Sequence, residues 1–195
     1  MIALIDYGAG NLKSVANALD DLKVDYVITN NIDQINTAEK IIFPGVGEAA
    51  SAMEKLDEVK IINVIKLTSK PLLGICLGMQ LFATFSEERD TKCLDIIKSV
   101  VKKFDDTDVK VPHMGWNKVE FKSQNKLFNG ISSDEYFYFA NSYYLPISEY
   151  TIASTFYGKM FSASVNKNNF YGVQFHPEKS GKMGLKILQN FVEVC

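Results

Sequence analysis

A five-residue segment, Gly74-Ile75-Cys76-Leu77-Gly78, most constrains what this chain can fold into. The apolar residues before the cysteine predict a short buried strand, Leu72 to Ile75, and the apolar spacing after it predicts a helix from Leu77 to Phe85. A cysteine between strand and helix, with a glycine two residues to either side, is typical of a nucleophile elbow, whose strained turn projects a reactive side chain. The start of a helix also favours a thiolate. The alternative is an unreactive buried cysteine between packing glycines, since free cysteine is often buried.

A second segment offers the base that a thiol nucleophile needs. In the stretch from Tyr171 to Glu178 (YGVQFHPE) alternating residues predict a strand that ends at His176, where Pro177 stops the ladder. His176 and Glu178 are two residues apart in extended chain and therefore project from the same side. With Cys76 they form the pattern of a thiol triad of nucleophile, general base and orienting carboxylate. The alternative is a histidine that is merely hydrogen-bonded at a strand end.

A third segment, from Ile41 to Gly47 (IIFPGVG), predicts a buried strand that runs into a glycine-flanked turn. We expect Val46 and Gly47 to aim a backbone N–H at a developing oxyanion, joined by the backbone N–H of Leu77. A glycine turn alone is weak evidence. Together with the nucleophile and the base, it indicates an active site.

Strands alternate with helices through the first half of the chain, which predicts an α/β fold with an open, mostly parallel sheet and helices on both faces. The remaining strands of this half are expected at Ile2–Ile5, Asp25–Thr29 and Lys40–Phe43, and the helical regions at Leu12–Leu22 and Glu48–Leu67. The segment Ile32–Ala38 is expected to be either a weak helix or a loop. Short strands then follow, and we expect them to extend the central sheet and to add a small antiparallel one. They are predicted at Ile96–Phe104, Asn117–Phe121, Tyr136–Tyr144, Ile152–Phe156, Phe161–Val165 and Phe170–His176. Ser180 is expected to be the N-cap of the last helix.

Composition and charge exclude several classes of function. The 195 residues carry a net charge of −2 with 47% hydrophobic residues, and Arg89 is the one arginine, so a nucleic-acid or membrane surface is not indicated. Three cysteines without CxxC spacing argue against a disulfide framework and a zinc site. No apolar run approaches the roughly 20 residues of a membrane span. We expect one domain, residues 1–195, in a cytoplasmic protein that uses no metal or cofactor.

The three segments resemble the signature blocks of the class I glutamine amidotransferases: Pro44 to Gly47 (PGVG), Gly74 to Gln80 (GICLGMQ) and His176 to Glu178 (HPE). Within that superfamily, the segments from Asp6 to Leu12 (DYGAGNL), Pro112 to Asn117 (PHMGWN) and Glu178 to Ser180 (EKS) resemble the glutaminase subunits of the histidine pathway. The resemblance covers essentially the whole chain. It implies a flavodoxin-like sheet and hydrolysis of L-glutamine, with ammonia passed to a separate cyclase (synthase) subunit in a heterodimer.

The resemblance also implies roles for individual residues. It implies that glutamine is contacted by Gly45, Gln80, Glu88, Ser142 and Tyr143. Among these, the carboxylate of Glu88 helps to hold the α-amino group of glutamine. It implies that the partner subunit is contacted by Asn11, Trp116, Tyr138 and Lys179, which we call the partner face. Trp116 is expected in a loop, where tryptophan is a favoured interface anchor. The alternative is an ordinary core aromatic, which strand alternation favours for Phe137 and Phe139.

Two departures from the family pattern bear on the identity of the partner. Asn141 stands where the family usually has histidine, and the stretch from Cys93 to Lys98 replaces a glycine-rich one. The rival interpretations are a paralogous glutaminase that serves another synthase, such as one that amidates a nucleotide sugar, and a cysteine hydrolase or peptidase on the same fold. A catalytically silent binding subunit is a further alternative, against which the complete set of Cys76, His176 and Glu178 argues.

Overall fold

The computed structural model describes residues 1–121 and 125–195. The strands are β1 (Ile2–Ile5), β2 (Tyr26–Thr29), β3 (Lys40–Gly45), β4 (Leu72–Cys76), β5 (Ala83–Ser86), β6 (Thr91–Lys92), β7 (Ile97–Lys103), β8 (His113–Phe121), β9 (Glu135–Asn141), β10 (Tyr143–Tyr144), β11 (Thr151–Tyr157), β12 (Lys159–Lys167) and β13 (Phe170–Val173). The α-helices are α1 (Leu12–Asp21), α2 (Ile32–Thr37), α3 (Ala49–Glu58), α4 (Ile62–Leu67), α5 (Leu77–Gln80) and α6 (Gly181–Glu193). No helix in the described ranges is long and apolar enough to cross a membrane.

The main sheet has two halves of different strand direction. Its spatial order is β2-β1-β3-β4-β13-β12-β11-β8-β9. The strands from β2 to β13 pair in parallel, and those from β13 to β9 pair antiparallel. A second sheet has the order β10-β7-β5-β6. The prediction of a small antiparallel sheet was wrong in one pair, because β5 and β7 run parallel while the outer pairs are antiparallel. The α/β fold with a mostly parallel sheet in its first half and an antiparallel extension is therefore confirmed.

Helices cover both faces of the main sheet because successive side chains of its buried strands point to opposite sides. In β1, Ile2 and Leu4 pack into one apolar cluster with Leu19 of α1 and Phe191 of α6. Ala3 and Ile5 pack into the other, which includes residues of α2, α3, α4 and α5. The first half of the chain thus buries both faces of its strands, as its unbroken apolar runs predict.

Two helix predictions were wrong in length. The helix after Cys76 ends at Gln80, one turn long, and the chain turns back into a strand at Ala83 instead of continuing to Phe85. Leu81, Phe82 and Ala83 are fully buried, so their apolar character does not distinguish helix from strand. The helical region from Glu48 to Leu67 is two helices, broken where Lys60 adopts a positive φ of 59°.

Further differences concern the antiparallel half. Trp116 lies inside β8, which begins at His113, and not in a loop. The strand expected from Tyr136 to Tyr144 divides into β9 and β10, which belong to different sheets. Phe137 and Phe139 are fully buried, which confirms their inward orientation.

Candidate active site

Cys76 sits at a strained turn between β4 and α5. Its backbone angles are φ 54° and ψ −111°, a combination that side-chain-bearing residues rarely adopt and that costs roughly 1–3 kcal/mol. The turn also requires glycines: a Cβ on Gly74 would lie 2.8 Å from the carbonyl of Gly78, and one on Gly78 would lie 2.0 Å from the carbonyl oxygen of Phe43. The elbow geometry expected from the sequence is present. Since α5 is a single turn, its first N–H groups, and not a long helix dipole, face the nucleophile.

His176 and Glu178 form a buried ion-pairing contact. Nδ1 of His176 lies 2.8 Å from Oε1 of Glu178, and the two side chains are 3% and 1% exposed. The strand β13 ends at Val173, three residues earlier than predicted, so both side chains belong to the loop that follows it. Glu178 can therefore hold the imidazole in one orientation, with Nε2 left to face the pocket.

Two hydrogen-bonded contacts fix this loop against the edge strand β9. The backbone N–H of His176 donates to the carbonyl oxygen of Tyr138 at 2.8 Å. Ser180 Oγ accepts from the backbone N–H of Tyr138 at 2.9 Å and donates to the carbonyl oxygen of His176 at 2.6 Å. Ser180 is the N-cap residue of α6, as expected, but its hydroxyl makes no capping hydrogen bond to that helix. It positions the histidine instead.

The surroundings of His176 favour its charged form. Burial alone would lower the pKa of His176, but hydrogen bonds to Cys76 and Glu178, with the negative charge of both, raise that pKa from 6.5 to about 10. A proton on the imidazole and a negative charge on the sulfur stabilise each other. The arrangement thus keeps a proton on the imidazole that faces the sulfur of Cys76.

The segment expected to supply the oxyanion donors ends beside the nucleophile. Gly45, the last residue of β3, pairs in register with Cys76. A Cβ on Gly45 would lie 2.7 Å from the backbone nitrogen of Gly78, so the two turns are in direct contact. Val46 and Gly47 follow at the surface of the pocket, and Leu77 lies on its floor.

A cavity of about 340 Å³ joins these elements. Its walls come from the two turns, from the β9–β10 region and from the loop after β13. The lining residues are Val46, Gly47, Cys76, Leu77, Gln80, Glu88, Pro112, Met114, Ala140, Asn141, Ser142, Tyr143, His176 and Lys179.

Four of the five residues expected to contact the substrate line this cavity. Gln80, Glu88, Ser142 and Tyr143 line it, whereas Gly45 lies behind it as a packing contact. Oε2 of Glu88 accepts a hydrogen bond from the backbone N–H of Ala49 at 2.7 Å. Burial raises the pKa of Glu88, and the contact with Ala49 opposes that shift.

Three of the four residues expected at the partner face lie together on or beside β8 and β9. Trp116 is 56% exposed on β8, and its ring packs edge-on against that of Tyr138 on β9, with centroids 6.3 Å apart. Lys179 Nζ lies 5.8 Å from the centroid of Tyr138, a cation–π contact at the pocket rim. Asn11 precedes α1, and its Oδ1 accepts from Ser14 Oγ at 2.8 Å. Its place in the partner face stays a prediction.

Two buried polar side chains near Cys76 were not predicted from the sequence. The Nε2 group of Gln174 lies 3.6 Å from the sulfur of Cys76. The hydroxyl of Tyr7 is buried beside Gly45, has no hydrogen-bond partner in the described part of the chain, and has its pKa raised by burial and by Cys76. The alternation that predicts a strand up to His176 also puts residue 174 on the same side as residue 176, and this signal could have found Gln174.

A strained cysteine turn, a His–Glu pair and an adjoining glycine turn are the parts of an acyl-transfer site, and the sequence comparison agrees. Residues 3–195 match the family described as Glutamine amidotransferase class-I. The chain belongs to the class I glutamine amidotransferases.

Two relatives that match over their full length carry the same name. A protein of Bacteroides fragilis named "Imidazole glycerol phosphate synthase subunit HisH" is 48% identical over 195 residues, which cover 99% of each chain. A protein of the same name from Vibrio parahaemolyticus is 45% identical over 199 residues, which cover 99% of this chain and 98% of its own.

Solved structures of more distant sequence share the fold. One titled "glutamine amidotransferase" superposes with a TM-score of 0.76 at 15% identity and covers 99% of this chain and 98% of its own. The structure of PurLQS from Thermotoga maritima superposes with a TM-score of 0.69 at 17% identity, over 98% of this chain and 96% of its own. These likenesses concern the fold alone.

Proposed function

We propose that this chain is the glutaminase subunit of imidazole glycerol phosphate synthase. It hydrolyses the side-chain amide of L-glutamine and delivers the ammonia to a cyclase subunit, with which it forms a heterodimer in histidine biosynthesis. One observation carries the proposal: Cys76, His176 and the Val46–Gly47 turn meet at one cavity in a chain whose full-length relatives bear that subunit's name.

The first half of the reaction makes a thioester. The Cys76 thiolate attacks the carboxamide carbon of glutamine, and the carbonyl electrons move onto oxygen, where backbone N–H groups near Val46 and Leu77 stabilise the charge. The imidazolium of His176 gives its proton to the amide nitrogen as the C–N bond breaks. Ammonia leaves, and a γ-glutamyl thioester remains. The raised pKa of His176 supports this role, because the proton is in place at neutral pH.

The second half restores the enzyme. His176, now neutral, takes a proton from water, which attacks the thioester carbon. The C–S bond breaks, its electron pair returns to sulfur, and glutamate leaves. Glu178 holds the imidazole through Nδ1 during both steps, so Nε2 serves first as acid and then as base.

Glu88 is the residue that selects an α-amino acid. Its carboxylate is half-buried, and Oε2 is held by the backbone N–H of Ala49 at 2.7 Å. We assign Oε1 to the α-ammonium group of glutamine, since a positioned carboxylate binds an ammonium more strongly than a neutral acceptor does. Gln80, Ser142 and Tyr143 complete the wall on that side.

The partner face is the exposed surface of β8 and β9 next to the cavity. Met114, Trp116 and Tyr136 are more than half exposed there. Met114 and Lys179 also line the cavity, so this face is continuous with the site where ammonia forms. Ammonia released into water at pH 7 becomes ammonium, which is not a nucleophile. A subunit seated on this face would receive it before that happens.

The test is glutamate release from L-glutamine by the purified chain, alone and with the cyclase subunit plus its ribonucleotide ligand. We expect strong stimulation by the liganded cyclase, and none in Cys76→Ala. Slow turnover that requires Cys76 but is not stimulated by the cyclase would support the glutaminase activity and indicate that the chain serves another synthase. No turnover under either condition would overturn the proposal.

A matched pair of variants tests the partner face. Trp116→Ala should weaken binding of the cyclase by roughly 30-fold, the loss typical of a buried aromatic anchor, with glutamine hydrolysis by the isolated chain unchanged. Leu67→Ala is the control, because Leu67 is 80% exposed at the opposite end of the sheet, just before β4 begins. Equal affinity of wild type and Trp116→Ala for the cyclase in a titration would show that Trp116 is not part of the interface.

A further inference from the structure

Gln174 is a buried polar residue to which the reaction described above gives no role. Its side chain is completely buried, and Nε2 donates to the Cys76 sulfur at 3.6 Å. A buried amide must find hydrogen-bond partners to offset its loss of contact with water, so its partners indicate its role. One of those partners is the atom that attacks the substrate.

The direction of this hydrogen bond is fixed by a chain of amides that starts at the backbone. Gln80 Nε2 donates to the carbonyl oxygen of Tyr143 at 2.8 Å, and a carbonyl can only accept. The same NH₂ group donates its second hydrogen to Oε1 of Gln174, also at 2.8 Å. Gln174 must then turn its own NH₂ group toward Cys76. The backbone of Tyr143 therefore determines that a donor, and not an acceptor, faces the sulfur.

A second group secures the start of that chain. Asn141 Nδ2 also donates to the carbonyl oxygen of Tyr143, at 2.8 Å, and Asn141 is buried in the wall of the cavity. The carbonyl oxygen of Tyr143 thus accepts from the side-chain amides of both Gln80 and Asn141. Asn141 occupies the position where the sequence departs from the family's usual histidine.

The two protonation states of the sulfur use different partners. A protonated thiol can donate to the carbonyl oxygen of Ala140, 3.9 Å away, and has no need of another donor. A thiolate needs donors, and two converge on it, the His176 imidazolium and the N–H of Gln174. Hydrogen bonds to a charged acceptor are worth more than those to a neutral one. The N–H of Gln174 therefore stabilises the charged sulfur selectively.

We propose that Gln174 is a further catalytic residue, whose side-chain N–H holds the Cys76 sulfur in its charged and oriented state, and that Gln80 is the positioning residue that sets the Gln174 amide. This inference rests on the proposed function for its place in the reaction. The donor is present when the nucleophile attacks, and again when the C–S bond of the thioester breaks and the electron pair returns to sulfur.

The experiment measures the thiol directly. Alkylation of Cys76 by iodoacetamide is followed from pH 5 to pH 10 by mass spectrometry of the peptide that contains it, so that Cys93 and Cys195 do not contribute. In Gln174→Met, which keeps the length of the side chain without its donor, the midpoint of the pH dependence should rise by about one unit or more, and kcat should fall on the order of 10- to 100-fold with KM little changed.

Two further variants separate this role from simple packing. Gln80→Met should shift the midpoint in the same direction by less, because the Gln174 amide stays in place but loses its fixed orientation. The matched control is Asn190→Leu, which removes a buried amide held by the carbonyl oxygens of Leu127 and Asn129, none of which lines the cavity. It should lower the melting temperature and leave the alkylation midpoint unchanged.

A wild-type midpoint in folded Gln174→Met would overturn the inference, and so would a loss of kcat there without a shift of the midpoint. If Gln174→Met fails to fold, an unshifted midpoint in Gln80→Met overturns it equally. A shifted midpoint in a chain that does not hydrolyse glutamine would refute the proposed function and leave the hydrogen bond to the thiolate standing.

Discussion

The parallel and antiparallel halves of the main sheet contribute differently to the site. In the parallel half, β3 and β4 end side by side, so the glycine turn and Cys76 meet because neighbouring parallel strands share a carboxyl edge. In the antiparallel half, β8 and β9 present outward side chains such as Trp116 along their length. The reactive groups therefore depend on where strands end, and the recognition face depends on which residues point outward.

The carboxylates of Glu178 and Glu88 offer the sharpest test of this difference between reactive groups and recognition groups. Glu178→Gln removes the negative charge behind the His176 imidazole and should lower kcat on the order of 10²- to 10⁴-fold. Glu88→Gln removes a ground-state contact with the substrate and should raise KM on the order of 10- to 100-fold with kcat within a few-fold of wild type. Steady-state kinetics of the partner-activated enzyme decide this. A loss confined to kcat in Glu88→Gln would contradict the assignment.

Glycines in the two halves should differ in their effect on stability. Gly78→Ala introduces a Cβ about 2.0 Å from the carbonyl oxygen of Phe43, and we expect a loss of about 3 kcal/mol or more in the free energy of unfolding. Gly115→Ala in β8 meets no atom within 4 Å, so only the backbone strain of its φ of +127° remains, about 1–2 kcal/mol. Urea unfolding measures both values. Equal losses would show that the elbow can relax.

The two histidines should give the protein opposite pH dependences. Burial lowers the pKa of His113 to about 4, and the nearby side chain of Asn141 opposes that shift only in part. The His113 ring stacks on that of Tyr157 with centroids 4.0 Å apart. The unfolded chain binds a proton near pH 6.5 that the folded chain does not, so this contribution to stability is present above pH 6.5 and is lost as the pH falls toward 4. For His176 the folded pKa is raised to about 10, so its contribution is present below pH 6.5 and is lost as the pH rises through 10.

Unfolding curves between pH 4 and pH 10 separate these contributions. His113→Phe keeps the aromatic stack and should flatten the acid side of the stability profile, whereas His176→Gln should flatten the alkaline side, each by a slope of up to about 1.4 kcal/mol per pH unit. Parallel profiles for wild type and His113→Phe below pH 6.5 would mean that His113 is protonated in the folded chain.

The difference between strand ends and strand faces also explains which parts of the site can be predicted from the sequence alone. Cys76, His176 and Glu178 can be found because Cys76 ends a short buried strand and the other two follow one, and such strands are visible as apolar runs. The end of α5 at Gln80 cannot be found in that way, since Leu81 and Phe82 are buried in either conformation. The position of Trp116 inside β8 depends on its pairing with Tyr138, which lies 22 residues further along the chain.

The contacts made by polar side chains were the least predictable part. Ser180 precedes a helix, where its side chain would ordinarily cap the first turn, yet its hydroxyl is used by Tyr138 and His176. Gln174 carries no signal of its own beyond strand alternation, because its importance comes from Gln80 and from a carbonyl oxygen on a distant strand. Such networks are specified by the tertiary fold and not by local pattern.

The loop that holds His176 also covers an edge of the main sheet. β9 is the last strand, and at Tyr138 both of its outward backbone groups are bonded to that loop, the N–H by Ser180 and the C=O by His176. An exposed strand edge is a template on which another chain can add a strand and aggregate. A molecule whose catalytic loop detaches would present this edge, so the contacts that position the base also protect the protein from self-association in concentrated solution.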